Sequence, residues 1–207
     1  LKAGDLEKNP VAKALKTQWR QILHVFLLVM AMSCGFFMLF VWWPTYLMRF
    51  FPRPVPNAFA INTASMAVLA CLIPLMGLAA DRWGRKIVLA LSTGGLVVFA
   101  YPLFVITDHG AWVGILICQL IFAVFVAGLE GSIAATMVEM FPLKTRCSGI
   151  AIGYNLSVAI FGGLTPMIST WLIKKTDHNL AAPAYYLMAV ALVGFVAAVL
   201  LRKTPAA

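Results

Sequence analysis

The sequence predicts an all-α integral membrane protein with six transmembrane helices, and three observations carry that prediction. Of its 207 residues 62% are hydrophobic and only 11% charged, where a soluble domain carries about 25% charged residues. Six apolar runs are each long enough to cross about 30 Å of hydrocarbon at a helical rise of about 1.5 Å per residue. The cations, 16 Lys and Arg against 7 Asp and Glu, gather in the short links between those runs, as in multi-span proteins whose loops are sorted by charge.

The elements follow in order. Residues 1–21 are polar, contain Lys2, Lys8, Lys13, Lys16 and Arg20, and start without Met. They read as a cytoplasmic segment of a chain cut from something longer, with no cleavable signal. A bundle over 22–201 comes next, with helices at 22–48, 58–80, 87–107, 111–138, 147–173 and 183–201, and a cytoplasmic tail at 202–207 closes the chain. The links PRPVPN (52–57), DRWGRK (81–86), TDHG (107–110), EMFPLKTR (139–146) and KKTDHNLAAP (174–183) are so short that successive helices must run antiparallel. Trp19, Trp112 and Trp171 fall near helix ends, where an indole suits the headgroup layer.

Orientation follows from the cations. One side collects Lys2, Lys8, Lys13, Lys16 and Arg20, then Arg82, Arg85 and Lys86, then Lys144 and Arg146, then Arg202 and Lys203; the other has Arg49, Arg53, Lys174 and Lys175. Both termini are therefore expected in the cytoplasm and the bundle in the cell membrane, inner or plasma. Pro44, Pro74, Pro102 and Pro166 interrupt the spans, which lipid permits only where neighbours or a wet cavity serve the freed carbonyls. Gly149, Gly153, Gly162 and Gly163 offer the fifth helix a close approach to a neighbour, or ordinary packing.

The same composition excludes several functions. A nucleic-acid binder gathers its basic residues on one polar face, whereas these are divided among loops, so no nucleic-acid partner is expected. Cys34, Cys71, Cys118 and Cys147 show no paired spacing and mostly lie in apolar runs, so neither a disulfide nor a metal site is expected. His24, His109 and His178 lie near span ends or in links, poor places for a proton relay. No nucleophile constellation or phosphate-cradling loop occurs at a usable spacing, and the chain is not expected to be an enzyme or to carry a cofactor.

The stretch GLAADRWGRK, Gly77 to Lys86, crowds four charges, Asp81, Arg82, Arg85 and Lys86, into one link. Gly77 shares a helical face with Asp81 and admits a neighbouring helix. Asp81 stands at the C-terminal end of its helix, electrostatically the wrong end for an anion. Its carboxylate makes sense if it serves the free amides at the N-terminus of another helix. The plain alternative is a topology signal ending in a C-cap glycine, Gly84.

Gly77, Asp81, Arg82, Gly84, Arg85 and Lys86 match G-x-x-x-D-R-x-G-R-K, which resembles the loop motif of the major facilitator superfamily. The stretch EMFPLKTRCSGIAIGYNLSVAIFGGLTP (139–166) resembles the junction of helices ten and eleven in its metabolite:proton symporters, relatives of the proline/betaine and alpha-ketoglutarate permeases. The resemblance implies that the chain is the C-terminal half, spans seven to twelve, of a twelve-helix fold whose two halves hold substrate between them near the midplane. It implies that Asp81 reaches the fifth helix of an N-terminal half, that the helix beginning near Cys147 and Ser148 receives that half's acid, and that Arg85 pairs with Glu139. With Arg146, these residues would form a conformational gate whose contacts bias alternating access.

Other polar residues are candidates for substrate or proton contact. Glu130, outside the resembling stretches, is the one acid well inside an expected span. It lines the central cavity and takes up a proton or faces a cationic group of substrate, or it is a fixed ion pair with the other half or a protonated packing residue. Tyr154 and Asn155 can orient a polar ligand or bond between helices. Asn62 and Ser65 share a face of the second helix, and Trp42 and Tyr46 are possible gate residues in an aromatic first span. The expected function is proton-coupled symport of a small organic acid or zwitterion, with protons, the bilayer and an N-terminal half as partners. The rival is a six-span membrane interaction or assembly subunit without transport of its own. A six-helix half working as a homodimer is a third possibility.

Overall fold

The computed structural model describes residues 10–51, 54–108, 112–143 and 145–201. Expectations about Lys2, Lys8, Arg53, His109, Lys144, Arg202, Lys203 and the rest of the tail fall outside the described residues. All six spans are present, at Trp19–Arg49, Ala58–Trp83, Arg85–Asp108, Trp112–Met140, Arg146–Lys175 and Ala182–Leu200. Each end lies within three residues of its expected place. The described residues contain helices, turns and bends but no strand.

Two details differ from the sequence expectation. A short helix, Pro10–Thr17, precedes the first span and packs against the start of the fifth. Between the second and third spans there is no six-residue turn. Asp81, Arg82 and Trp83 remain helical, Arg85 opens the next helix, and Gly84 alone reverses the chain at φ 99°. That value is strained for any residue with a Cβ, so the two helices abut through one glycine.

The first span is the centre of the bundle, with 72% of its most apolar stretch buried, whereas the second and fifth spans are least buried at 17% and 28%. Neighbour relations show an internal order. The second span packs on the fourth and the fifth on the first; the third packs on the fourth and the sixth on the first; the third and sixth pack on each other. Exchanging spans one to three with spans four to six maps this set onto itself. An exchange of three-span units in an antiparallel chain pairs helices of opposite direction, which makes it an inverted repeat.

Two of the four interior prolines coincide with a widened helical turn. A π-helical segment over Phe37–Trp42 precedes Pro44, and another over Val158–Gly162 precedes Pro166. The residue four before each proline, Phe40 or Gly162, lies inside the widened turn, which relieves the clash between the ring and that carbonyl. Pro74 and Pro102 lie within continuous α-helix. Around Pro44 the freed carbonyls are served by side chains. Asn62 Nδ2 donates to Phe40 O (3.0 Å), and Gln119 Nε2 donates to Leu39 O (3.1 Å) and to Asn62 Oδ1 (2.6 Å). All of these groups are buried, so the two amides substitute for the water that lipid lacks.

Beside this network lies an aromatic core. Trp43 sits 5.2 Å, centroid to centroid, from both Tyr46 and Phe104, with Phe122 edge-on at 6.0 Å. The expected glycine face of the fifth span is split. A Cβ on Gly153 would come within 2.9 Å of Ile22 O and one on Gly162 within 2.9 Å of the Phe37 ring, so both meet the first span. Gly149 instead meets the Phe141 ring, and Gly163, about 100° round the helix from Gly162, meets nothing within 4 Å.

Candidate functional site

Even-numbered spans end, and odd-numbered spans begin, at one end of the bundle. The charged link lies there. Arg85 opens the third span and bonds Asp81, the last acid of the second span, at 3.2 Å across the Gly84 break. The same guanidinium makes an ion pair with Glu139 at the end of the fourth span, the pairing that the resemblance implied. One cation thus joins three spans, while the Asp81 side chain stays 63% exposed and keeps acceptor capacity for a further donor.

The remaining motif residues have separate tasks. Lys86 Nζ donates to Leu201 O (3.1 Å) at the C-terminus of the sixth span, where a cation is favoured. Arg146 Nε donates to Phe141 O (3.2 Å) and braces the link into the fifth span. Thr145 Oγ1 donates to Gln18 Oε1 (2.8 Å), which ties that link to the start of the first span. Arg82 is exposed and bonds nothing among the described residues. Gly77 meets Gly131 of the fourth span, and a Cβ on Gly131 would lie 2.5 Å from Ile73 O and 2.8 Å from Gly77 N. This backbone contact fixes the crossing that brings the second and fourth spans, and hence Asp81 and Glu139, to a common cation.

The interior candidates do not form one cluster. Glu130 is half-buried and makes no ion pair or hydrogen bond with any described residue. It stands about 13 Å along its helix from Glu139, at about 1.5 Å per residue. Asn62 is committed to Phe40 and Gln119, and Ser65 Oγ donates to Ile61 O (2.9 Å) of its own helix. Asn155 Nδ2 donates to Ala151 O (2.8 Å) on an exposed face, and Tyr154 beside it is half-buried against the core. Sequence reasoning missed Gln119, whose amide deep in an apolar run was the available signal.

At the opposite end, Tyr46 and Trp42 are stacked at 5.1 Å between centroids, and neither is free. Tyr46 OH donates to Leu180 O (3.0 Å) in the last link, and Trp42 Nε1 donates to Thr170 Oγ1 (3.0 Å) of the fifth span. Trp42 also lines an open groove of about 520 Å³ between the first and fifth spans, continuous through Thr45, Thr170 and Lys174 with a second lobe of about 360 Å³. Among the described residues no cluster of His, Cys, Asp and Glu has metal-binding geometry.

The family model for the Major Facilitator Superfamily matches residues 25–207. The chain belongs to the Major Facilitator Superfamily. Within it, the chain is 34% identical over 187 residues to the proline/betaine transporter of Escherichia coli (strain K12), covering 90% of this chain and 37% of that protein. The proline/betaine transporter of Salmonella typhimurium (strain LT2) is 32% identical over 187 residues with the same coverage. The chain thus spans less than two fifths of the length of these relatives. No solved structure matches it significantly. For a superfamily member the inverted three-span repeat is the internal symmetry expected of a six-helix half.

Proposed function

We propose that the chain is the C-terminal half of a proton-coupled symporter for a small organic acid or zwitterion, held in the inner or plasma membrane with both termini cytoplasmic. The observation that carries this reading is the alignment of 90% of the chain with proteins named as proline/betaine transporters. The charged link supplies the conformational element. Arg85 draws the second, third and fourth spans together, and Asp81, which remains exposed, would receive helix N-terminal amides from an N-terminal half. Contacts made when the cytoplasmic side is closed and broken when it opens bias the two access states. The poorly buried second and fifth spans are the faces that such a half would cover.

Glu130, an acid inside a span without a partner among the described residues, is the proton-coupling candidate of this half. Tyr154 and Asn155 are the candidates for fixing a polar substrate. The reading is tested by radiolabelled uptake of proline, betaine, 2-oxoglutarate, citrate and shikimate into proteoliposomes that hold the full-length transporter containing this half. Uptake of one substrate that rises with an imposed inward proton gradient and collapses with a protonophore is the expected result. Uptake indifferent to the gradient would remove the proton from the proposal.

A further inference from the structure

We propose that the groove between the outer halves of the first and fifth spans binds the carboxylate of a small solute. The site is assembled from two helix ends. The first span contributes Thr45 and Arg49, and the fifth contributes Thr170 and Lys174, with His178 from the following link. Lys174 and His178 are exposed, as is Arg49, and none of the three side chains has an ion-pair or hydrogen-bond partner among the described residues. Among the described residues no carboxylate lines either lobe; Asp177 adjoins His178 in sequence but is not part of the lining. Two exposed cations lining one concavity, without a counter-ion among the described residues, make a local positive potential that an anion relieves.

The hydroxyls give the site direction. Thr165, Ser169 and Thr176 of the same region donate to the carbonyl four residues earlier and are thereby used up. Thr170 does not. Its Oγ1 accepts from Trp42 Nε1, which leaves its proton free to donate, and Thr45 is exposed and unbonded among the described residues. A carboxylate presents acceptors only. It therefore matches a lining of two hydroxyl protons, an ammonium and a guanidinium with planar fork geometry. Met167 and Trp171, on the same helix face as Thr170 and Lys174, add apolar surface to the lining, suited to the hydrocarbon or methylated ammonium end of such a solute. A volume of about 520 Å³ fits a metabolite of this size with water to spare. The groove opens at the end away from Asp81, so under the proposed orientation it faces the outside, where substrate is captured. Only that placement and the choice of probes rest on the transport reading.

The test is equilibrium binding of radiolabelled glycine betaine and 2-oxoglutarate to the chain in phosphatidylcholine nanodiscs. Choline, which lacks the carboxylate, serves as competitor. Saturable binding of either probe is expected, weakened about tenfold or more by Arg49→Gln or Lys174→Gln and poorly competed by choline. Both side chains are exposed, so insertion and monodispersity should match the parent chain. Absence of saturable binding, binding indifferent to both substitutions, or equal competition by choline overturns the proposal. So does occupancy seen only as stabilisation by added phosphatidylglycerol, which would make the groove a lipid-headgroup site. Uptake by the full-length protein separates this claim from the previous one. An unchanged KM in both variants sinks the groove and leaves transport standing, whereas binding without any uptake does the reverse.

Discussion

Arg85 is the residue on which the gate proposal turns, because its one side chain holds carboxylates from the spans on either side of its own. The motif around it is visible in sequence, yet Glu139 lies 54 positions away and no local pattern couples the two; only the resemblance implied the pair. Asp81, bonded to Arg85 but still exposed, carries the sharper prediction. Asp81→Asn in the full-length protein should lower uptake about tenfold, the range of a typical coupling energy between two states, while membrane insertion stays normal. Unchanged uptake would remove the latch. Glu130 is the second residue with a direct test, since an acid without a described partner inside a span is costly unless used. Glu130→Gln should alter the pH profile of uptake, and an unshifted profile would return it to packing.

At the scale of elements, the sequence announced the helices and their breaks but not how the breaks are repaired. Apolar runs and prolines are local signals, so the spans and the positions of Pro44 and Pro166 were legible. Which carbonyls need help, and who gives it, depends on packing between the first, second and fourth spans. Asn62 was visible as a polar residue without visible partners, and Gln119 escaped notice. Replacing Asn62 with Leu leaves Phe40 O without its donor and should destabilise the chain by about 1–3 kcal/mol, read as a lower unfolding midpoint in detergent. Combining it with Pro44→Ala restores a backbone donor near that carbonyl and should recover part of the loss. An equal loss in both backgrounds would separate Asn62 from the proline. The crossing of the second and fourth spans makes a similar demand. Gly131→Val puts a Cβ 2.5 Å from Ile73 O and 2.8 Å from Gly77 N, both backbone atoms, so it should lower both stability and uptake.

For the molecule as a whole, hydropathy and short links fixed six antiparallel helices, because length and charge placement are properties of the chain itself. The inverted repeat was not legible, since it is a relation among contacts rather than among residues. The groove between the first and fifth spans was equally hidden. Arg49 lies more than a hundred positions from Lys174 and His178, and the three read as separate loop charges until the first and fifth spans meet. At this scale the central claim is that these six helices are half of a transporter. It is tested most directly by proton-driven uptake of radiolabelled proline and betaine into proteoliposomes. Vesicles would hold either this chain alone or this chain co-expressed with a six-span N-terminal half from the same superfamily. Uptake only when both halves are present is the predicted result; well-inserted chains that remain silent together would contradict it and favour an assembly subunit.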